Sequence, residues 1–483
     1  MPEIFINGVP VEAREGATVL ETALEHGFYI PYFCWHKNLS VAGNCRLCMV
    51  EVEAESGGWM DIACNMPATK GLRVLTDSDK VKARRKTMLE LVLKNHPVDC
   101  GVCDKAGECM LQDYHYAYNG APSVSTVPKV RATKFHELSQ RILLDNERCV
   151  LCSRCVRFTR EISKSHALGI VDRGDHSLVR CDELRSLDDD PYSDNVVDIC
   201  PVGALLSRSF LYKSRVWYLD ATPSVCPGCA RGCNVDLWHR KREWKLNALD
   251  PRHNACIERV TPRENAEVNG PWICNTGRDL AKFLERPRAL VPMQKGREAD
   301  LTAAVAAARA LIDAAKHPVA LVSSWGSNEE LAAFKAALGT RFRTLVKPDR
   351  LAEPGERIED DILIRADKNP NTRAAVELFG DAPVALDEGT DLVLVWGDGF
   401  DFARLPRHAK TILLGAFVAP ENGHADVFFP VSVQSERAGH YTNFEGKVSA
   451  FSPCFPGPPK VVDAETLFAR LGTPVAARSG AAA

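Results

Sequence analysis

The chain has 483 residues and is 45% apolar, material for packed cores in about three domains. Its formal net charge of −3 excludes the strongly basic face of a nucleic-acid binder, so no nucleic-acid partner is expected. No apolar run approaches the roughly 18 residues that cross a bilayer, and the opening MPEIFINGV has neither region of a signal peptide, so no direct membrane span and no leader are expected.

Residues 1–80 read as a small α/β domain. Glu3–Val9 and Val11–Arg14 are extended runs around Asn7-Gly8, a tight-hairpin signal. Thr18 N-caps a helix with Glu21 at the capping-box position, Val19, Leu20, Ala23 and Leu24 as its apolar stripe and Gly27 as its stop. Residues 79–95 read as one helix ending at His96-Pro97, with Val81, Met88, Leu91 and Val92 facing inward. Dense cysteine sets follow. After about residue 295 the texture changes. Leu301–Lys316 is an Ala-rich helix, Val319–Val322 a buried strand, and Ser327 caps a helix with Glu330 at the box position. Leu392–Trp396 and Ile412–Leu414 are further strands, and the alternation implies a parallel α/β sheet. Ala476–Ala483 read as a frayed end.

Of 18 cysteines, only Cys454 lies outside residues 34–274. In a long chain without a recognisable leader, this crowding points to metal binding under reducing conditions rather than disulfides. The first set is Cys34, Cys45, Cys48 and Cys64, four thiolates as a [2Fe–2S] cluster needs. Zinc usually takes two short C-x2–4-C knuckles, and here only one pair is close. The preceding hairpin and helix suit a plant-type ferredoxin fold. The second set is His96, Cys100, Cys103 and Cys109, in which His96 supplies the fourth ligand one turn before Cys100. The competing zinc reading, three Cys and one His, loses weight beside the flanking cluster motifs. The third is Cys149, Cys152 and Cys155 with the remote Cys200-Pro201, a bacterial ferredoxin run that has lost its second cluster. Thr159 stands where a further Cys would be, and Asp190, Ser193 and Val196 where the second triplet would fall. The fourth is Cys226, Cys229 and Cys233, with Cys256 and Cys274 as candidates for the last ligand. Cys274 is chosen, because Gly277 follows closely and Trp272 and Ile273 can shield it. Cys181, Cys454 and Cys256 are then spare, small buried hydrophobes.

This order of motifs resembles the large iron–sulfur subunit of respiratory complex I, the proton-pumping NADH:quinone oxidoreductase. The stretches that carry it are H96PVDC100GVC103DKAGEC109, C149VLC152SRC155 with C200P, C226PGC229ARGC233 and PWIC274NTGR, after the Cys34 set. More weakly, residues 366–375 and 425–448 resemble that subunit's molybdopterin-oxidoreductase-like domain. The resemblance implies an α+β multidomain chain. Its expected parts are a plant-type [2Fe–2S] ferredoxin-like domain (1–78), a one-His/three-Cys [4Fe–4S] domain (79–120) and a bacterial-ferredoxin-like [4Fe–4S] domain (138–218). A molybdopterin-oxidoreductase-type [4Fe–4S] domain (219–278) and an abridged, cofactor-free α/β region (295–475) would follow. It implies one [2Fe–2S] and three [4Fe–4S] clusters and no molybdopterin. It further implies electron transfer from a flavin-bearing, NADH-oxidising partner toward a quinone-site iron–sulfur subunit, among other hydrophilic-arm chains. The expected order is the Cys34 cluster, the Cys149 cluster, then the His96 cluster, with the Cys226 cluster off the main path. The expected location is peripheral, on the cytoplasmic side of a bacterial inner membrane.

Iron-only hydrogenases share the first three motifs but need further cysteines, and after Cys274 this chain has only Cys454. Formate dehydrogenases share all four and need a longer C-terminal region. The alternative is the iron–sulfur subunit of an NAD-linked hydrogenase or formate dehydrogenase. No Gly-rich dinucleotide fingerprint stands out, Gly397-Asp-Gly399 reading as a plain βα turn, so no substrate site is expected on this chain.

Overall fold

Asn7 and Gly8 both take positive φ, 53° and 79°, as a two-residue hairpin turn of this hand requires. They join β1 (Glu3–Ile6) to β2 (Val9–Glu12). The coordinates are a computed structural model that describes residues 1–55, 57–241 and 255–472. The end expected to fray, Ala476–Ala483, lies outside the described residues. The chain forms two compact units that part between Tyr218 and Leu219.

In the first unit, α1 (Val19–Glu25) starts on the full Thr18/Glu21 capping box. β3 (Met49–Val52), β4 (Trp59–Ile62) and β5 (Arg73–Leu75) complete a sheet in the order β2-β1-β5-β3-β4, with β1 and β5 parallel. Ile4, Ile6, Val19, Leu20, Val50 and Val74 form its core, which also takes in Cys48 and Cys64.

α2 (Asp79–Asn95) has the expected span, but its inner face differs. Val81, Arg85 and Leu89 are buried, whereas Leu91 is 60% exposed. Arg85 occupies the face because its guanidinium stacks on the Tyr118 ring, 5.4 Å away, and donates to the Met49 carbonyl.

Beyond it lie α3 (Met110–Tyr114), β6 (His136–Glu137), β7 (Ile142–Leu144), α4 (Arg154–Glu161), the hairpin β8 (Leu168–Val171) and β9 (Leu178–Cys181), and β10 (Leu205–Ser207). β7 is the middle strand of the sheet β10-β7-β6.

The second unit opens with an antiparallel sheet of β11 (Leu219–Val225), β12 (Asn234–Arg240) and β13 (Ile257–Pro262). Its larger sheet contains β14 (Met293–Gln294), β15 (Arg297–Glu298), β16 (Pro318–Ser323), β17 (Arg343–Lys347), β18 (Leu392–Trp396), β19 (Lys410–Gly415) and β20 (Val427–Pro430). The five parallel strands run β17-β16-β18-β19-β20, a doubly wound order. Both faces are covered, which is why Leu392–Trp396 is an unbroken apolar run: Leu392, Leu394 and Trp396 enter one core, Val393 and Val395 the other. The helices 301–314 and 328–338 start on Asp300 and on the Ser327/Glu330 capping box. Among the described residues no helix is long and apolar enough to cross a membrane.

Candidate metal centres

The Cys34 set is built into the first core. Cys34, Cys48 and Cys64 are buried, and Cys45 half-buried. The sulfurs of Cys34 and Cys45 lie 3.4 Å apart, and the Phe33 N–H points at Cys45 Sγ from 3.5 Å. Contacts with Cys45 and Cys64 pull the Cys34 thiol far down, while the contact with Cys34 pushes both of its partners up. Cys48 is lowered by its own contact with Cys64, so all four thiols form one linked group.

In the second set, the stretch between His96 and Cys100 is not the helical turn expected. Pro97 disfavours helical geometry in the residue before it, and His96 is extended at φ −60°, ψ 133°. Val98 is left-handed, and Cys100–Val102 make a separate 3-10 turn. Burial, helped by Arg148 and opposed by Asp99, lowers the imidazole pKa to about 4, leaving the ring neutral. Cys103 is electrostatically adjacent to Cys100, and Cys109 to Cys103. Burial raises Cys109 to about 11, against the N–H groups of Gln112 and Leu111, which stabilise its thiolate.

Two further residues at this set escape a reading based on ligand spacing. A Cβ at Gly203 would fall 2.1 Å from Cys103 Sγ, so only glycine leaves that sulfur its place. Arg148 is 1% exposed, forks onto Asp99 at 2.9 and 2.7 Å and keeps Nη1 without a hydrogen-bond partner. The signal available for Gly203 is its place just past Cys200-Pro201.

The third set shows the clearest cradle. Cys149, Cys152, Cys155 and Cys200 all line one cavity of about 370 Å³, completed by Leu144, Val179 and Val202 among others. Burial, then the neighbouring thiols, raises Cys149 to about 12; burial and Cys200 raise Cys152 to about 11. Cys149, Cys152 and Cys155, which resist ionising in so dry a cavity, make with Cys200 a poor free cluster of side chains but a suitable donor set for a cationic iron–sulfide core. The Leu151 N–H, 3.4 Å from Cys149 Sγ, adds a donor to sulfur.

The fourth set sits in the β11–β12 connection, where the Cys226 N–H donates to the Cys233 carbonyl at 2.7 Å and the Gly228 N–H to Cys226 Sγ at 3.4 Å. Cys274 is electrostatically adjacent to both Cys226 and Cys233, and the Gly277 N–H points at its sulfur. A Cβ at Gly277 would lie 3.2 Å from Cys226 Sγ and 3.9 Å from Cys274 Sγ. Trp272 and Ile273 are buried beside it. Cys256 instead contacts Glu258, its sulfur 3.8 Å from Oε1. Of the other spare thiols, Cys181 bonds to the Leu138 carbonyl, and burial raises Cys454 to about 12.

Among the described residues no three His, Cys, Asp or Glu side chains converge as ligands of a single metal ion must. An iron of a [2Fe–2S] cluster takes two protein ligands and one of a [4Fe–4S] cluster takes one, so neither needs three to converge.

Four families match in chain order. A 2Fe-2S iron-sulfur cluster binding domain matches residues 2–79, and the NADH-ubiquinone oxidoreductase-G iron-sulfur binding region residues 85–121. The ferredoxin-like domain of NADH-quinone oxidoreductase subunit 3 matches residues 139–206, and the molybdopterin oxidoreductase Fe4S4 domain residues 219–286. The chain is 37% identical over 294 residues to the mitochondrial NADH dehydrogenase [ubiquinone] iron-sulfur protein 1 of Solanum tuberosum, covering 61% of this chain and 38% of that protein. It is 34% identical over 304 residues to the NADH-ubiquinone oxidoreductase 75 kDa subunit of Reclinomonas americana, covering 61% and 40%. An NADH-quinone oxidoreductase subunit of Rickettsia prowazekii is 35% identical over 278 residues, covering 58% and 39%. The cluster-bearing part of this chain is thus similar to the large iron–sulfur subunits of NADH:quinone oxidoreductase.

The matched iron–sulfur binding regions follow one another along the chain in the order 2–79, 85–121, 139–206 and 219–286. The chain spans about two fifths of the length of the curated relatives it matches. A chain of an NAD+-reducing [NiFe]-hydrogenase in the H2-reduced state is similar over 44% of this chain and 91% of its own length, at 31% identity and a TM-score of 0.41.

Among the hollows of the second unit is one of about 600 Å³ at the carboxyl ends of β16 and β18, where the strand order reverses. Ser323, Trp325, Asp349, Trp396, Gln434 and Arg437 line it with others, and no cysteine is among the lining residues.

Proposed function

We propose that this chain carries electrons within an NADH:quinone oxidoreductase, between a flavin-bearing, NADH-oxidising partner and a quinone-site iron–sulfur partner. The observation that carries the reading is the single cavity lined by Cys149, Cys152, Cys155 and Cys200, one of four thiol sets in the family's order.

One [2Fe–2S] cluster would be held by Cys34, Cys45, Cys48 and Cys64. Three [4Fe–4S] clusters would be held by His96, Cys100, Cys103 and Cys109; by Cys149, Cys152, Cys155 and Cys200; and by Cys226, Cys229, Cys233 and Cys274. When bound, such clusters supply one-electron donor–acceptor couples whose potentials follow cluster type, charge, hydrogen bonding and exposure. The protein's part is to hold and insulate them. Thiolates anchor the iron, main-chain N–H groups point at the sulfurs, and residues such as Leu144, Val179 and Trp272 exclude water. On this reading the domains are 1–78, 79–120, 138–218, 219–278 and 295–475, the last without a pterin. The location that fits is peripheral, on the cytoplasmic side of a bacterial inner membrane.

Iron and zinc analysis of the loaded chain tests this. Full occupancy gives about 14 iron atoms per chain and no zinc. Equimolar zinc with correspondingly less iron would remove at least one assignment.

A further inference from the structure

Two of the most deeply buried charges in the first unit, Arg154 and Arg157, play no part as ligands. Both belong to α4, and they are only 5% and 4% exposed. Most of their partners are main-chain carbonyls next to, or belonging to, the candidate ligands of separate sets, and Arg157 Nε also donates to Ser153 Oγ at 3.3 Å.

Arg157 donates through Nη2 to the carbonyl of Cys34, in the first set, and to that of Cys152, in the third, the latter at 3.4 Å. Its Nη1 donates to the Ser40 carbonyl in the Cys34–Cys45 loop. Arg154 donates through Nη2 to the Trp35 carbonyl at 2.7 Å, one residue past Cys34. Through Nη1 it donates to the Ile199 carbonyl at 3.0 Å, one residue before Cys200, and meets Met110 Sδ, one residue past Cys109, at 3.9 Å.

The same seam is closed around them. Glu161, at the far end of α4, accepts from the Ser40 N–H at 2.8 Å and its hydroxyl at 2.6 Å. Asn44 Nδ2 donates to the Leu151 carbonyl at 3.1 Å. The Met110 N–H donates to the Pro201 carbonyl at 3.0 Å.

Resting on the ligand assignment above, we propose that Arg154 and Arg157 are positioning residues for electron transfer, a guanidinium bridge that joins the Cys34 and Cys149 ligand loops into one body and sets the potentials of both clusters together. A guanidinium has five donors in a rigid fork, so it can hold carbonyls of two loops at once, which an ammonium cannot do in the same geometry. A buried cation needs charges to face, and besides Glu161 the groups that favour the charge of Arg157 are the Cys34 and Cys152 thiols. Thiolate-ligated clusters carry net negative charge that grows on reduction, so a cation between two of them stabilises the reduced form of each. Arg157 is electrostatically adjacent to both Cys34 and Cys152, which makes its effect a shared one.

The test uses the full chain, loaded anaerobically with ferrous iron and sulfide, with redox titrations followed by EPR. Arg157→Gln removes the charge and keeps some hydrogen-bonding capacity. It lowers the midpoint potentials of the Cys34 and Cys149 clusters together, each by about a tenfold change in the reduced-to-oxidised ratio, about 59 mV for one electron. The Cys226 cluster, in the other unit, keeps its potential. Arg157→Lys keeps the charge and loses the fork: both potentials stay near the parent's, while the magnetic interaction between the two reduced clusters changes. Should Arg157→Gln lose its clusters, Arg157→Lys and Arg154→Lys carry the measurement of that interaction. Potentials and interaction unchanged in every variant would overturn the bridge, as would a shift confined to one cluster. A parent chain in which the Cys34 or Cys149 set takes up no iron would overturn the ligand assignment itself, before any variant is made.

Discussion

Gly203 offers the sharpest perturbation of a single centre. Its Cβ, if it had one, would sit 2.1 Å from Cys103 Sγ, which is 1.3 Å inside the 3.4 Å where ordinary contact begins. Lys105 Cβ at 3.2 Å and Arg148 Cδ at 3.7 Å close the other directions. In Gly203→Ala either the main chain retreats or the sulfur moves, and the sulfur has the shorter lever. Overpacking of this kind costs about 1–3 kcal/mol, which a domain with about 5–15 kcal/mol of stability survives. A metal site tolerates ligand distances off by only about 0.2 Å, so a displacement several times larger is decisive for the cluster and not for the fold. Gly203→Ala in the loaded full chain should therefore lose about four iron atoms, with the EPR signal of the His96 cluster, and keep the other three clusters. Gly228→Ala is the control, because its Cβ would meet Cys226 Sγ at 3.4 Å, an ordinary contact. A Gly203→Ala chain with full iron and an unaltered His96-cluster signal would refute the argument.

Three further outcomes are expected. Cys274→Ser should abolish or perturb the fourth cluster and Cys256→Ser should leave it intact; the reverse pattern in EPR would move the ligand to Cys256. His96→Cys should retain a cluster at a lower midpoint potential, since thiolate adds negative charge where imidazole was neutral, and a raised potential in a redox titration would count against ligation. Metal analysis should find no stoichiometric molybdenum or tungsten, and finding either would return the formate dehydrogenase reading.

What the sequence made legible was local. The Asn7-Gly8 turn, the Thr18/Glu21 and Ser327/Glu330 capping boxes and the apolar run Leu392–Trp396 each announce themselves within a few residues, and each is present. The inner face of α2 was misjudged because an arginine, Arg85, takes a buried position through an aromatic ring and a distant carbonyl. The cysteine sets could be spaced out on paper, but Gly203 and the two arginines of α4 could not be found that way. Their partners are a sulfur or main-chain oxygens far off in the chain, and main-chain groups leave no mark in a sequence.

That distance bears on how the first unit comes into being. Arg154 and its Trp35 partner are 119 residues apart, and Arg157 and Cys34 are 123 apart. Contacts that close such long loops repay their entropy only late in folding. The Cys34 sheet can assemble early from neighbouring segments, yet its outer loop finds its final partners only once residues 149–200 have arrived. Metal binding is folding free energy for sites not preformed in the unfolded chain. Loading of the third set should thus be the event that locks the first, and a cell short of iron would accumulate chains with a finished sheet and an open seam.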